Sequence, residues 1–176
     1  ATTEATTEVI TKAYAVEGGN IYYNSLGEIV DCDESVTAVV IPSEINGIAI
    51  TSIGDYAFSN CSNLTSITIP DGITSIGAYA FEGCAGLASI TIPGSVVSIG
   101  AYAFYGCTGL TSMLLPNSVM FIGTGAFKDC VSLYSLSLPD GITEIDASTF
   151  SGCVNLPIVN IPDNVTKIGS YAFSGC

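Results

Sequence analysis

The chain is expected to fold as a repeat solenoid of the α/β type. Its coils should be right-handed, each with one short parallel strand and a short helical or 3-10 turn, under an N-terminal β-hairpin cap. Three observations predict this. Phenylalanine recurs at 58, 81, 104, 127, 150 and 173, a step of 23 residues. Cysteine recurs at 61, 84, 107, 130, 153 and 176 with the same step. Proline does so at 70, 93, 116, 139 and 162. A fixed interval of this size marks small units that bury their apolar side only against the next unit.

Taken in order, residues 1–17, which open "ATTEATTE", read as a disordered polar spacer. Such a stretch is what removal of a signal peptide, or a cut in a longer chain, would leave. Residues 18–54 read as an N-terminal cap that includes a first strand over 36–42. Within it, "NIYYNSLGEIV" suggests two short strands around a turn near Asn24–Gly27, and "INGI" sets Asn46-Gly47 between apolar neighbours, a two-residue hairpin signal. The cap would cover a sheet edge and core end that are otherwise exposed. Residues 55–176 are the stacked units. No comparable terminal unit follows Cys176, so the natural product is expected to continue, with self-association through an uncapped last coil as the alternative.

One unit, "LTSITIPDGITSIGAYAFEGC" (64–84), shows how each coil is built. Leu64, Ile67 and Ile69 alternate with small polar residues, the period of a strand with Ile67 and Ile69 inward. Pro70 ends the strand because it has no N–H to donate, and "PDG" turns the chain. Ile73 and Ile76 face inward again. Gly77, repeated as Gly54, Gly100, Gly123 and Gly169 but Asp146 in the fifth unit, suggests a left-handed backbone. Ala80, Phe81 and Cys84 then fit one helical turn on the far side.

The pattern LxxIxIPxxVxxIGxxAFxxC is seen over Leu64–Cys84, Leu87–Cys107, Leu110–Cys130, Leu133–Cys153 and Leu156–Cys176, with modest departures: Met113 and Val159 stand in place of Ile67, and Gly125 and Ser148 interrupt the Tyr56, Tyr79, Tyr102, Tyr171 column. On these residues the chain resembles the leucine-rich repeat superfamily, in its BspA-like, Treponema-type 23-residue subclass, over 36–176. The resemblance implies a secreted or surface-displayed bacterial protein concerned with attachment to host or neighbouring cells.

The thiols Cys61, Cys84, Cys107, Cys130, Cys153 and Cys176 admit a disulfide ladder, a metal site or a nucleophile. Stacked side chains point in parallel rather than at one another, so reduced, buried packing thiols are preferred. Evenly spaced single thiols without histidine do not converge on zinc, and no base is present to lower a thiol pKa. No cofactor or metal site is therefore assigned. Cys32, in "DCDE", stands outside the ladder and is expected to be accessible or bound to the cap. "DCDE" lacks the length, glycine and terminal Glu of an EF-hand loop and reads as a solvated acidic turn. The column Tyr56, Tyr79, Tyr102, Tyr171 reads as half-buried rings stacked along one edge, with an aromatic binding strip as the alternative.

Recognition is assigned to the outward positions of the strands: Ser66, Thr68, Ser89, Thr91, Ser112, Leu114, Ser135, Ser137, Ile158 and Asn160, with Tyr134 at a strand entry. Leu114, Ile158 and Tyr134 are the apolar departures from a hydroxyl-rich sheet, and apolar departures mark contact surfaces. The net charge of −13, with three lysines, no arginine and no histidine, disfavours nucleic acid and anionic membrane surfaces, which bind clustered Lys and Arg. No run of apolar residues suits membrane insertion. Without histidine, arginine, a phosphate-cradling loop or paired carboxylates, an enzyme is not expected. The leading expectation is an extracellular or cell-surface module that binds a protein partner through its strand face. A passive spacer that presents a distal domain is the alternative, and glycan binding, weakened by the lack of tryptophan, is a third.

Overall fold

The computed structural model describes residues 11–176. It opens with β1 (Lys12–Val16), β2 (Gly19–Tyr23) and β3 (Glu28–Cys32), an antiparallel meander. Lys12–Val16 is thus part of the fold, a correction to the spacer expected over 1–17. Each of its residues has a partner in β2, and paired backbone is favoured wherever a sheet edge lies within reach. Residues 1–10 of that spacer lie outside the described residues. β4 (Ala38–Val40), β5 (Glu44–Ile45), β6 (Ile48–Ala49) and β7 (Ser52–Ile53) follow. Between β5 and β6 the chain reverses through Asn46 and Gly47, at φ 51° and 79°, the conformation this dipeptide favours.

The repeats supply β8 (Ser66–Thr68), β9 (Ser75–Ile76), β10 (Ser98–Ile99), β11 (Ser112–Leu114), β12 (Phe121–Ile122), β13 (Ser135–Ser137), β14 (Glu144–Ile145) and β15 (Lys167–Ile168). The coils use up to two strand segments, one before the proline and one after. Before the proline, β4 pairs with β8 and β11 with β13, both parallel. After it, β7, β9, β10 and β12 continue the cap into one sheet of order β1-β2-β3-β7-β9-β10-β12, while β14 and β15 pair separately. This second sheet, built by the Ser-Ile-Gly stretches, is a feature the sequence reading did not assign.

Here the recurrent glycine finds its reason, and it is not a left-handed backbone. Gly77 and its counterparts avoid positive φ. A Cβ on Gly77 would lie 2.5 Å from the Asp55 nitrogen of the coil before, and one on Gly100 2.5 Å from the Ala78 nitrogen. The glycines let two backbones touch. The left-handed residues are instead the column Tyr56, Tyr79, Tyr102, Gly125, Ser148 and Tyr171, at φ 56° to 63°.

That column also explains the third side of each coil, where the described residues contain no helix. The expected helical or 3-10 turn is replaced by successive turns. Tyr56, Phe58 and Asn60 donate their N–H groups to the carbonyls of Ala78, Ala80 and Glu82 in the next coil, while Cys61 donates back to Phe58. An α-helix would point all these donors along its own axis. Here alternate donors turn outward, because each coil's backbone needs partners on the next.

The core is one continuous cluster. Phe58, Phe81, Phe104, Phe127, Phe150 and Phe173 form a file of stacked rings whose centroids lie 5.2 to 5.7 Å apart. Beside them Cys84, Cys107, Cys130, Cys153 and Cys176 each donate S–H to the phenylalanine carbonyl of the preceding coil, at 3.0 to 3.2 Å. The position therefore wants a small side chain with one donor. Burial pushes Cys84 and Cys153 up to about 12, and Cys107 and Cys130 up as well. Cys61 is the exception to the ladder of reduced thiols. It is joined to Cys32 in a disulfide, and Cys32 is buried rather than accessible. The first coil has no preceding phenylalanine carbonyl to receive an S–H. Its sulfur meets the cap strand β3 instead and bonds there.

Candidate functional site

The strand face is positioned by the alternation that buries Ile67, Ile90 and Met113 and turns their neighbours outward. Ser66, Thr68, Ser89, Thr91, Leu114, Tyr134, Ser135, Ser137, Ile158 and Asn160 are all exposed, and Ser112 is half-exposed. Leu114 and Ile158 are each 72% exposed. Val40, outward on β4, belongs to the same column as Thr68 and Leu114 through the β4–β8 register and the repeat, and is exposed too. Sequence reasoning passed over it because it lies in the irregular first unit, yet Val40 aligned with Thr68 was the available signal.

Register decides which of these residues meet. Leu114 lies opposite Ser137 and Ser112 opposite Ser135. The Tyr134 N–H reaches the Thr111 carbonyl at 3.0 Å. Leu114 and Tyr134 therefore stand at opposite ends of a three-residue strand pair, and Ile158 follows one coil later. The three apolar groups frame a hydroxyl patch of Ser112, Ser135 and Ser137 rather than forming one continuous apolar surface.

The ladder on this face is interrupted at residues 89–91, between β8 and β11, which form no strand, a correction to the strand expected through Ser89 and Thr91; beyond β13 it stops, and residues 158–160 likewise pair with nothing as a strand, which leaves a gap. The gap holds a cleft of about 450 Å³ lined by Leu136, Ser137, Leu138, Asn160 and Ile161, with Asp140 and Asp163 at its rim. Two of the candidate residues, Ser137 and Asn160, thus share a groove. At the end of the stack, Leu156, Ile158, Val159, Ile161, Phe173 and Cys176 line an apolar hollow of about 260 Å³.

The tyrosine column is a true stack at its start. Tyr56–Tyr79 and Tyr79–Tyr102 lie 4.9 and 5.0 Å apart, nearly parallel. Gly125 ends it, because the Tyr102 ring covers the place where a side chain at 125 would stand. Tyr79, stacked on both sides, offers only its edge and hydroxyl, whereas Tyr56 and Tyr171 are exposed rather than half-buried as expected, and Tyr171 stands outside the stack. "DCDE" is held internally, with Asp33 accepting from the Asn20 side chain at 2.9 Å and from Tyr22 at 2.9 Å, which holds its carboxyl below the ordinary range. No helix among the described residues is long and apolar enough to cross a membrane.

A family model described as BspA type leucine rich repeat region matches residues 51–176 in six copies. The chain belongs to this family. Among solved structures, it is similar to the Treponema pallidum leucine-rich repeat protein, with 34% identity and a TM-score of 0.74 over 85% of this chain and 80% of that one. It is also similar to a leucine-rich cell surface protein of Faecalibacterium prausnitzii, at 29% identity and a TM-score of 0.75 over 94% of this chain and 52% of that one. A Bacteroides ovatus leucine-rich repeat protein matches at 29% identity and a TM-score of 0.65, over 93% and 49%. This BspA-type chain thus spans most of the first relative and about half of the other two. No curated protein matches it.

Proposed function

We infer that this chain is a secreted or cell-surface module that binds a protein partner, or adheres to a host or neighbouring cell, through its strand face. The observation that carries the reading is a parallel-strand surface, backed by a dry core, on which Leu114 is 72% exposed, with Ile158 equally exposed on the unpaired segment beyond it. Apolar groups framing a hydroxyl patch are what a protein contact uses, since interfaces draw energy from a few buried apolar anchors within a polar rim. Two further observations support an extracellular setting. The Cys32–Cys61 disulfide fits an oxidising compartment, and a similar protein is named as a cell surface protein. The family and fold are those of non-enzymatic scaffolds, and no catalytic role is proposed.

The test is a biosensor comparison of the native chain with Leu114→Glu and Ile158→Glu against fractionated host-cell and bacterial surface proteins. Binding should weaken about tenfold or more in each variant while the melting temperature holds. If both variants bind as the native chain does, the strand face is not the site. If no fraction binds the native chain, the spacer reading gains.

A further inference from the structure

The second sheet is broken at one place. From coil to coil its rungs are made by two N–H groups: Gly77 donates to Ile53, Gly100 to Ile76, Gly123 to Ile99 and Gly169 to Ile145, while Thr74 donates to Thr51, Val97 to Thr74, Met120 to Val97 and Thr166 to Thr143. Between β12 and β14 neither bond forms among the described residues. This is the coil in which Asp146 stands where its neighbours have glycine. The cause is steric. A Cβ at Gly123 would lie 2.6 Å from the Ala101 nitrogen behind it, and Asp146 carries such a Cβ in fact. The coil stands off, and the rings of Phe127 and Phe150, at 5.7 Å, are the most widely spaced pair in the phenylalanine file.

The opened rung has become a notch of about 130 Å³, lined by Ile99, Met120, Phe121, Thr143, Glu144 and Asp146. Its surroundings depart from the repeat in one direction. Phe121 replaces the Ser52, Ser75 and Ser98 of earlier coils and is 68% exposed, and Met120 and Val97 replace Thr51 and Thr74. The Met120 sulfur packs over Gly141 in the next turn, spanning the gap. The carbonyls of Met120 and Ile122 and the N–H groups of Thr143 and Asp146 lack ladder partners. Two carboxylates, Glu144 and Asp146, face one ammonium, Lys167, which sits 2.7 Å from Glu144.

We propose that this notch binds an extended segment of a partner protein that carries an apolar side chain beside a lysine or arginine. The cavity takes one aliphatic or small aromatic side chain, being close in size to cavities that hold benzene. Phe121, Met120 and Ile99 give that side chain an apolar collar, and the unpaired carbonyls and N–H groups meet a peptide backbone as a sheet edge would. Asp146, in a chain of net charge −13, selects a basic neighbour. The site is separate from the strand face, so it does not depend on the function proposed above.

The probe is a library of short random peptides displayed on phage and selected on the native chain. Selected peptides are then measured as synthetic peptides on a biosensor against the native chain, Asp146→Gly, Phe121→Ser and Leu114→Glu. Enriched peptides should pair an apolar residue with Lys or Arg. They should bind about tenfold more weakly to Asp146→Gly, which closes the rung, and to Phe121→Ser, which restores the repeat residue, while Leu114→Glu binds as the native chain does. Both weakened variants move towards the repeat consensus, so folding is not at risk. The proposal is overturned if no motif is enriched, if the enriched peptides are acidic, or if Asp146→Gly binds them undiminished.

Discussion

Replacing Gly100 by alanine tests the claim that the recurrent glycine exists for close approach. The new Cβ would sit 2.5 Å from the Ala78 nitrogen and the Gly77 carbonyl carbon, about 1 Å inside ordinary contact. Neither atom can swing away, since both are backbone of the coil behind. The coils must part, at an overpacking cost of about 1–3 kcal/mol. Parting also weakens the 2.8 Å bond from the Gly100 N–H to Ile76, worth about 1 kcal/mol net. The restricted unfolded chain returns only about 0.4–1 kcal/mol. The sum is a loss of about 2 kcal/mol, or a fall in melting temperature of about 4–8 °C for a chain of this size. Gly94, six residues earlier in the same coil, is the control: nothing lies within 4 Å of its Cβ position and its φ is ordinary. Gly94→Ala should therefore stabilise by about 0.4–1 kcal/mol. Thermal melts followed by circular dichroism, with urea midpoints, read both. The reasoning fails if Gly100→Ala melts at or above the native chain, or if the two variants shift in the same direction.

Alkali should weaken the fold. Cys84 and Cys153 titrate at about 12 in the folded chain, against an ordinary value of 9.0, and Cys107 and Cys130 are raised as well. Between pH 9 and 12 the unfolded chain has released protons that the folded chain retains, so stability falls with rising pH by up to about 1.4 kcal/mol per unit for each thiol. Urea unfolding at pH 8 and pH 10 should differ by about 5 kcal/mol from the four thiols together, and Cys107→Ala should remove about a quarter of that difference. In the native chain at pH 8, iodoacetamide should label Cys176, which is exposed, and spare the four buried thiols, as intact-mass spectrometry will show. Reducing the Cys32–Cys61 bond, which closes a sequence separation of 29 residues, should cost about 3–4 kcal/mol. Hydrogen exchange should place that loss first in the cap strands.

The stack of coils was legible because its cause is local and repeated. One spacing of Phe, Cys and Pro admits few ways of burying the same apolar face again and again. The inward isoleucines and outward serines of the strands could be read for the same reason, since alternation is a property of the extended backbone itself. The second sheet was missed because Ser75–Ile76 is only two residues long, too short for any period to show. The glycine was noticed but given the wrong cause. A glycine needed for positive φ and one needed for a close neighbour look identical in sequence, and the tyrosines that do take positive φ carry no sign of it. Exposure of the candidate strand residues follows from alternation, but whether they adjoin one another depends on register. That is why Leu114 and Tyr134 prove to lie apart.

The amino-acid order alone determined that identical rungs would pile up around a shared phenylalanine file, because each rung's apolar side has no other partner than the next rung. Tertiary structure decided what happens where the rungs differ. Cys61, in the first coil, meets the cap rather than a phenylalanine carbonyl and becomes half of a disulfide. Asp146, in the fifth, meets backbone already in contact distance and forces a seam. Both outcomes depend on what lies across the gap to the neighbouring coil, and that distance is set by packing in three dimensions rather than by position along the chain.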